Sequence, residues 1–206
     1  MIDADRLKKI VHYDPETGEF TWLPRTPDMF KSGYRTAEGN CANWNARYAG
    51  TKAGTFDHYG RVQISVDNQL YKAHRLAWLY MTGEWPPEGF EVDHRDVNHA
   101  NNKWDNLRLA TSSQNKMNMG LRRDNRLGVK NVAFDDERNK FKVRVKTGDG
   151  RAIFKRFDTL DEANTFAHSM RSEHHKDFAR HSGPLWTKPQ CIEVVIDPYI
   201  ARCEAR

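Results

Sequence analysis

An aspartate and a histidine stand side by side at Asp93-His94, an asparagine follows twelve residues after the histidine at Asn106, and another nine residues further at Asn115. A carboxylate, an imidazole and two carboxamides between Glu91 and Asn118 are the parts needed to hold one hard metal ion and to deprotonate one water. That chemistry points to phosphodiester hydrolysis. Taken singly, each residue has a plainer role: Asp93 caps an Asn-rich turn, Asn106 is a turn amide and Asn115 a helix-start residue. Their joint spacing favours the chemical reading.

The elements that must position these groups follow from periodicity. Phe90, Val92 and the Asp93-His94 pair read as a first strand, Arg95 to Lys103 as an Asn-rich loop, and Leu107 and Leu109 as a second strand. Thr111 then opens a helix, with Gln114 at the capping-box position. The strand end bearing His94 and the helix start bearing Asn115 are thereby expected to face one another. A unit this small has almost no core of its own and must lean on its flanks or on a metal. Upstream, His74 to Met81 has helical apolar spacing ended by Gly83 and Pro86-Pro87, and Val62, Ile64 and Val66 alternate into a turn at Asp67-Asn68. His74 reads as a satisfied structural histidine and Arg75 as a phosphate contact. Leu7, Ile10 and Val11 mark a short helix, Asp14-Pro15 and Thr17-Gly18 a turn, and Phe20 and Trp22 a strand. Leu23 to Gly50 shows no clear period and reads as a long loop or insertion, with Trp44 and Tyr48 as its anchors in preference to ligand contacts.

The bulk numbers narrow the partners. The 206 residues carry a net charge of +5, with 38% hydrophobic and 30% charged residues. Between Lys116 and Arg156 there are 13 Lys or Arg against 5 Asp or Glu, so the basic charge is concentrated just after the Asp-His stretch. A basic block beside such a site suits a nucleic acid. Within it, Gly120 to Gly128 reads as a linker. Val129, Val132 and Phe134 then suggest a strand, Phe141, Val143 and Val145 alternate with Lys142, Arg144 and Lys146, and Ile153 to Phe157 returns after a Gly-Asp-Gly turn. Thr159 and Glu162 open a helix with Ala163, Phe166, Ala167, Met170 and Phe178 on one face. The cationic face of the middle strand is expected to meet DNA, since a strand ribbon fits the major groove. His168, His174, His175 and His181 have no zinc-like spacing, and Cys41, Cys191 and Cys203 form no C-x-x-C, so neither a zinc site nor a disulfide framework is expected. With no apolar run long enough to cross a bilayer, no membrane role is expected, and a reducing, cytoplasmic setting is.

The pattern Asp93-His94, Asn106, Asn115, with AHRLAW, VDH, NLRLAT and QNKMN around it, resembles the phage and intron-type HNH homing endonucleases over roughly Tyr59 to Asn118. The stretch from Gly128 to about Arg180, with FKVRVK and FKRFDTLDEA, is similar to the Apetala/ERF-type DNA-binding domain. The resemblance implies an α+β chain. It would have a ββα-metal (HNH) nuclease core with an N-terminal hairpin and helix extension, plus a small three-stranded antiparallel sheet packed on one helix. The expected divisions are a docking element and loop at 1–58, the core at 59–119, a basic linker at 120–127, the DNA-binding module at 128–182 and a tail at 183–206.

The resemblance further implies a metal-dependent, phage-encoded DNA endonuclease. In it His94 is the general base, Asp93 and Asn115 ligate one Mg²⁺ (or Mn²⁺) per site, and Asn106 orients the loop and the His94 ring. His99 lies in the loop and is not the base; Asn98, Asn101 and Asn102 are loop formers, and Asn118 packs or touches phosphate. Arg75, Arg122, Arg123, Lys130, Lys142, Arg144 and Lys146 are the expected contacts to double-stranded DNA. A monomer without a small-molecule cofactor is expected. The competing reading is a non-catalytic DNA-binding protein or regulator that uses the basic module.

Overall fold

The computed structural model describes residues 1–121 and 124–181, which divide into two units. Met1–Gly120 and His175–Ala179 form the first; the remaining described residues belong to the second. Arg122, Arg123 and the tail, including the strand expected at Ile192 to Ile196, lie outside the described residues.

The first unit begins with α1 (Ala4–Ile10), where the Asp3 side chain accepts a hydrogen bond from the Arg6 amide at 2.7 Å and so caps the helix. Leu7 and Ile10 are buried. Strands β1 (Val11–Asp14) and β2 (Glu19–Trp22) form an antiparallel hairpin that presents Tyr13 and Phe20 to the same core. Its turn is pressed against the chain at Asn102-Lys103. Tyr13 Oη donates to the Asn102 carbonyl at 2.6 Å, and the Trp104 amide donates to the Pro15 carbonyl at 3.0 Å. Gly18 sits at φ +76, where a Cβ would lie 2.4 Å from the Lys103 nitrogen, so only glycine fits there.

The stretch expected to be a loop contains α2 (Ala37–Tyr48), capped by Thr36 Oγ1, which accepts from the Gly39 amide at 3.1 Å. It escaped the periodicity because Cys41 is its one buried residue; the helix is held at its edge by aromatics instead. Trp44 packs against Trp22, Phe30 and Tyr48, and the Arg25 guanidinium lies 4.0 Å from the Trp44 ring centre.

Strands β3 (Thr55–Phe56), β4 (Val62–Val66) and β5 (Gln69–Lys72) form a three-stranded sheet in sequence order. The two-residue turn of the β4–β5 hairpin, Asp67-Asn68, has both φ angles positive, which matches the twist of the flanking strands. Helix α3 (Ala73–Thr82) follows at once, buries Ala73, His74, Leu76, Ala77 and Leu79, and stops at Gly83 in the left-handed region. Then come β6 (Phe90–His94), β7 (Leu107–Thr111) and α4 (Ser112–Asn118), the strand–strand–helix order expected from the sequence. The capping box at the start of α4 is complete: the Gln114 amide donates to Thr111 Oγ1 and the Thr111 amide to Gln114 Oε1. Val92 and Leu107 join the core built by α1, β1, β4 and α3, so the small ββα unit is supported by its N-terminal neighbours.

The second unit is an antiparallel sheet in the order β10 (Ala152–Phe157), β9 (Lys140–Lys146), β8 (Val132–Asp135), with α5 (Leu160–His175). Val132, Phe141, Val143 and Val145 pack with Ala163 and Ala167 of the helix. Arg171 is buried there, donating to the Lys130 carbonyl at 2.7 Å. One expectation fails here: Phe178 is not on the helix face. The helix ends at His175, Lys176 takes a left-handed conformation at φ +49, and the turn Lys176–Phe178 belongs to the first unit. The chain as a whole is α+β, as expected. Among the described residues no helix is long and apolar enough to cross a membrane.

Candidate active site

Strand β6 alternates, so Glu91 and Asp93 share one face and Val92 and His94 the other. On the Asp93 face, Arg108 is the cross-strand partner in β7, with its Nε 3.0 Å from Asp93 Oδ2 and both side chains 8% exposed. Helix α4 covers the same face. Asn118 Nδ2 donates to Asp93 Oδ2 at 2.9 Å and to the His94 carbonyl at 2.8 Å, while Asn115 Nδ2 donates to Glu91 Oε2 at 2.5 Å. Two asparagines one helical turn apart therefore meet two carboxylates two residues apart.

Of the pair expected to share one ion, Asp93 and Asn115, no direct hydrogen bond joins the two: Asn115 Nδ2 is engaged by Glu91, and Asn118 is the α4 residue bonded to Asp93. The amide of Asn118 is oriented by its two acceptors, so its Oδ1 is free of those bonds. The side chains on this face, Asp93, Glu91, Asn115 and Asn118, offer oxygen donors only, the type that suits a hard divalent ion. Among the described residues no group of three or more His, Cys, Asp or Glu is arranged to hold a metal, so any ion would rely on carboxamide oxygen and water as well.

On the opposite face the His94 ring is buried beside His74, with ring centres 5.0 Å apart and nearly perpendicular. Asn102 Oδ1 lies 3.2 Å from His94 Nε2, an arrangement that places the ring proton on Nε2 and leaves the Nδ1 lone pair to accept. Burial pushes the His94 pKa below its ordinary value, and the Asn102 bond opposes this only in part. Burial likewise pushes His74 down to about 3. Both imidazoles are neutral at neutral pH, the state in which His94 can take a proton from water. His99 stands at the loop side with its ring centre 5.7 Å from that of His94.

Asn106 organises the loop from within. Its Oδ1 accepts from the Asp96 amide at 3.0 Å, and its Nδ2 donates to Asp96 Oδ1 and to the Asn101 carbonyl. The ring of His94 is contacted by Asn102, not by Asn106. Asn102 is 2% exposed and is held by the β1–β2 hairpin through Tyr13, a partner 89 residues away that local reading does not reveal. The remaining residues missed from the sequence are Arg108, Glu91 and Phe178. Their signal is weak, a charged residue opposite Asp93 in strand register being the best of it.

The expected DNA contacts lie on two surfaces. Arg75 is exposed in the first turn of α3, 5.3 Å from the Trp85 ring centre. Arg144 and Lys146 are exposed and Lys142 half-buried, alternating with buried Phe141, Val143 and Val145 as expected. Across from Arg144, Phe154 is 55% exposed on the same face and forms cation–π contacts with Lys142 and Arg144. Lys130 is placed differently: burial, with Arg171 and Arg180 nearby, pushes it down to about 8.

The chain resembles known proteins in this region. A family profile described as HNH endonuclease matches residues 71–117, from the end of β5 through the second turn of α4. Protein 3.8 of Escherichia phage T7 is 35% identical over 115 residues, 54% of this chain and 93% of that protein. Uncharacterized HNH endonuclease L560 of Acanthamoeba polyphaga mimivirus is 29% identical over 116 residues, 56% of this chain and 59% of that protein. The solved structure of the HNH homing endonuclease I-HmuI, described for DNA binding and cleavage, covers 76% of this chain and 78% of its own at 18% identity. The TM-score between the two is 0.38. With the profile lying across β6, β7 and α4 and Protein 3.8 matched over nearly its whole length, residues 71–117 form an HNH endonuclease domain in a chain related to that phage protein.

Proposed function

We propose that this endonuclease hydrolyses double-stranded DNA with His94 Nδ1 as the general base and one divalent ion at the oxygen donors of Asp93 and its α4 neighbours. The observation that carries the reading is the buried, neutral His94, with Nε2 engaged by Asn102 and Nδ1 left to accept, at the strand end beside Asp93. A base so positioned contributes about 10²–10⁴-fold to a hydrolytic step. Asn102 and His74 hold the ring on one side of β6. Arg108 and Asn118 hold the carboxylate on the other. When bound, Mg²⁺ or Mn²⁺ would supply charge stabilisation for the phosphoryl oxygens and the leaving 3′-oxygen. Asp93 Oδ1 and Asn118 Oδ1 are the donors taken first here, and Asn115 Oδ1 stays available to the same set while its Nδ2 is held by Glu91.

The second unit serves as the DNA-binding module, in keeping with its Apetala/ERF-like pattern, and core and module correspond to residues 59–119 and 128–182. Its support is the exposed row Lys142, Arg144, Lys146 around Phe154. The homing role belongs to the same proposal. Cleavage of duplex DNA with and without Mg²⁺, beside His94→Ala, tests the catalytic assignment; equal behaviour of wild type and variant under all metals removes it. Asn118→Ala compared with Asn115→Ala tests the ligand set: the larger rise in the Mg²⁺ requirement is expected for Asn118→Ala, and the reverse order restores Asn115 as the ligand.

A further inference from the structure

Arg108 is an unusual residue to find buried opposite a candidate ligand. A buried guanidinium needs partners for its donors and its flat faces. Here Nε and Nη2 both lie 3.0 Å from Asp93 Oδ2, Nη1 donates to the Asp177 carbonyl at 2.5 Å, and the face is covered by the Phe178 ring with its centre 3.7 Å from Cζ. Asp177 and Phe178 come from the turn after α5, about seventy residues downstream of Arg108, yet they group with the first unit. Asn118 adds another bond to the same Oδ2. The two hydrogen bonds to the carboxylate, from Arg108 Nε and Asn118 Nδ2, both fall on Oδ2, and Arg108 Nη2 stands close to the same oxygen without a hydrogen bond of its own, so Oδ1 is left for a ligand.

We propose that Arg108 is the positioning residue for Asp93, and that Asp177 and Phe178, from the chain beyond α5, hold Arg108 in that role. The inference rests on the reading of Asp93 as an ion ligand. Without the ring and the carbonyl, Arg108 regains rotamer freedom and water, and the carboxylate must be ordered anew each time an ion binds. Groups that orient a ligand from behind typically change metal affinity by about 10–100-fold when lost. The turn Lys176–Phe178 is therefore a working part of the proposed cleavage site.

The test uses the full chain and reads Mn²⁺ uptake by electron paramagnetic resonance, with and without random-sequence duplex, beside DNA affinity in chelator and melting temperature. Phe178→Leu keeps an apolar cover but loses the flat ring, Phe178→Tyr keeps both, and Arg108→Lys keeps the charge but loses the planar fork. About tenfold weaker Mn²⁺ binding is expected for Phe178→Leu and Arg108→Lys. Phe178→Tyr is expected to behave as wild type, and metal-free DNA affinity to change less than about twofold throughout, since no phosphate contact is lost. Wild-type Mn²⁺ binding in both Phe178→Leu and Arg108→Lys overturns the inference and leaves the proposed function standing. Mn²⁺ binding that falls only in step with melting temperature, Phe178→Tyr included, makes the role structural and likewise overturns it. No Mn²⁺ uptake by the wild type under either condition sinks the metal-dependent reading and this inference together.

Discussion

Replacing Gly18 by alanine puts a methyl group at the joint between the N-terminal hairpin and the loop that holds His94. Two costs combine. The first is conformational: φ +76 disfavours an L residue by about 1–2 kcal/mol. The second is contact: a Cβ would stand 2.4 Å from the Lys103 nitrogen and 2.5 Å from the Asn102 carbonyl carbon, roughly 1 Å inside normal contact. These are backbone atoms, so the chain must move, at about 1–3 kcal/mol for overpacking. Gly50 isolates the first cost, since it has φ +78 and open space where its Cβ would go. Gly50→Ala is expected to lose about 1–2 kcal/mol and Gly18→Ala about 2–5 kcal/mol, read from urea unfolding. Asn102 is the residue displaced, and its Oδ1 holds His94 Nε2. A shift of about 1 Å in a positioning group can cost on the order of 10²-fold in rate, so Gly18→Ala should lose cleavage well beyond its unfolded fraction while Gly50→Ala does not. Equal stability of the two variants would refute the packing argument. A Gly18→Ala protein that is destabilised yet cleaves at the wild-type rate per folded molecule would refute the link from hairpin to ring.

Val97, a β-branched residue in the catalytic loop, is held at φ +66, so Val97→Gly should raise stability by about 1 kcal/mol; a lower urea midpoint would contradict the strain. His74 has its pKa depressed from 6.5 to about 3 by burial, so the unfolded chain binds the extra proton. The stability it contributes is whole above pH 6.5 and is lost as pH falls toward 3, at about 1.4 kcal/mol per unit. Between pH 6.5 and 5 the wild type should therefore lose about 2 kcal/mol more than His74→Phe; parallel pH profiles would mean that His74 is not buried neutral. Changing Lys142, Arg144 and Lys146 together to glutamine should weaken DNA binding and reduce the salt slope by up to about 0.9 per lost phosphate contact. An unchanged slope removes the β9 face from the interface.

The elements with a strong local signal were readable in the chain. The β4–β5 hairpin follows from alternating Val62, Ile64 and Val66 around Asp67-Asn68, and α4 from Thr111 and Gln114, both because neighbouring residues make the contacts that define them. Helix α2 was not readable, since it buries only Cys41 and is held by rings from outside itself. The end of α5 is not legible because the residue that breaks it, Lys176, has no intrinsic preference for the left-handed region it adopts. At the site, the residue types and their strand–strand–helix order were legible. Which asparagine meets which carboxylate is not, because Asn115 and Asn118 lie one helical turn apart on the same side of α4 and local spacing does not choose between them. Asn102 and Arg108 take their roles from Tyr13 and Phe178, partners distant in sequence.

The return of His175–Ala179 to the first unit also bears on synthesis. A ribosome completes Met1–Gly120, with every residue of the β6–β7–α4 site, long before it makes the turn that covers Arg108. Until α5 and that turn have emerged, Arg108 lacks the Phe178 ring and the Asp177 carbonyl, and the site proposed at Asp93 lacks that support. A product that stops before Lys176 would carry residues 71–117 intact but lack the ring and carbonyl that meet Arg108.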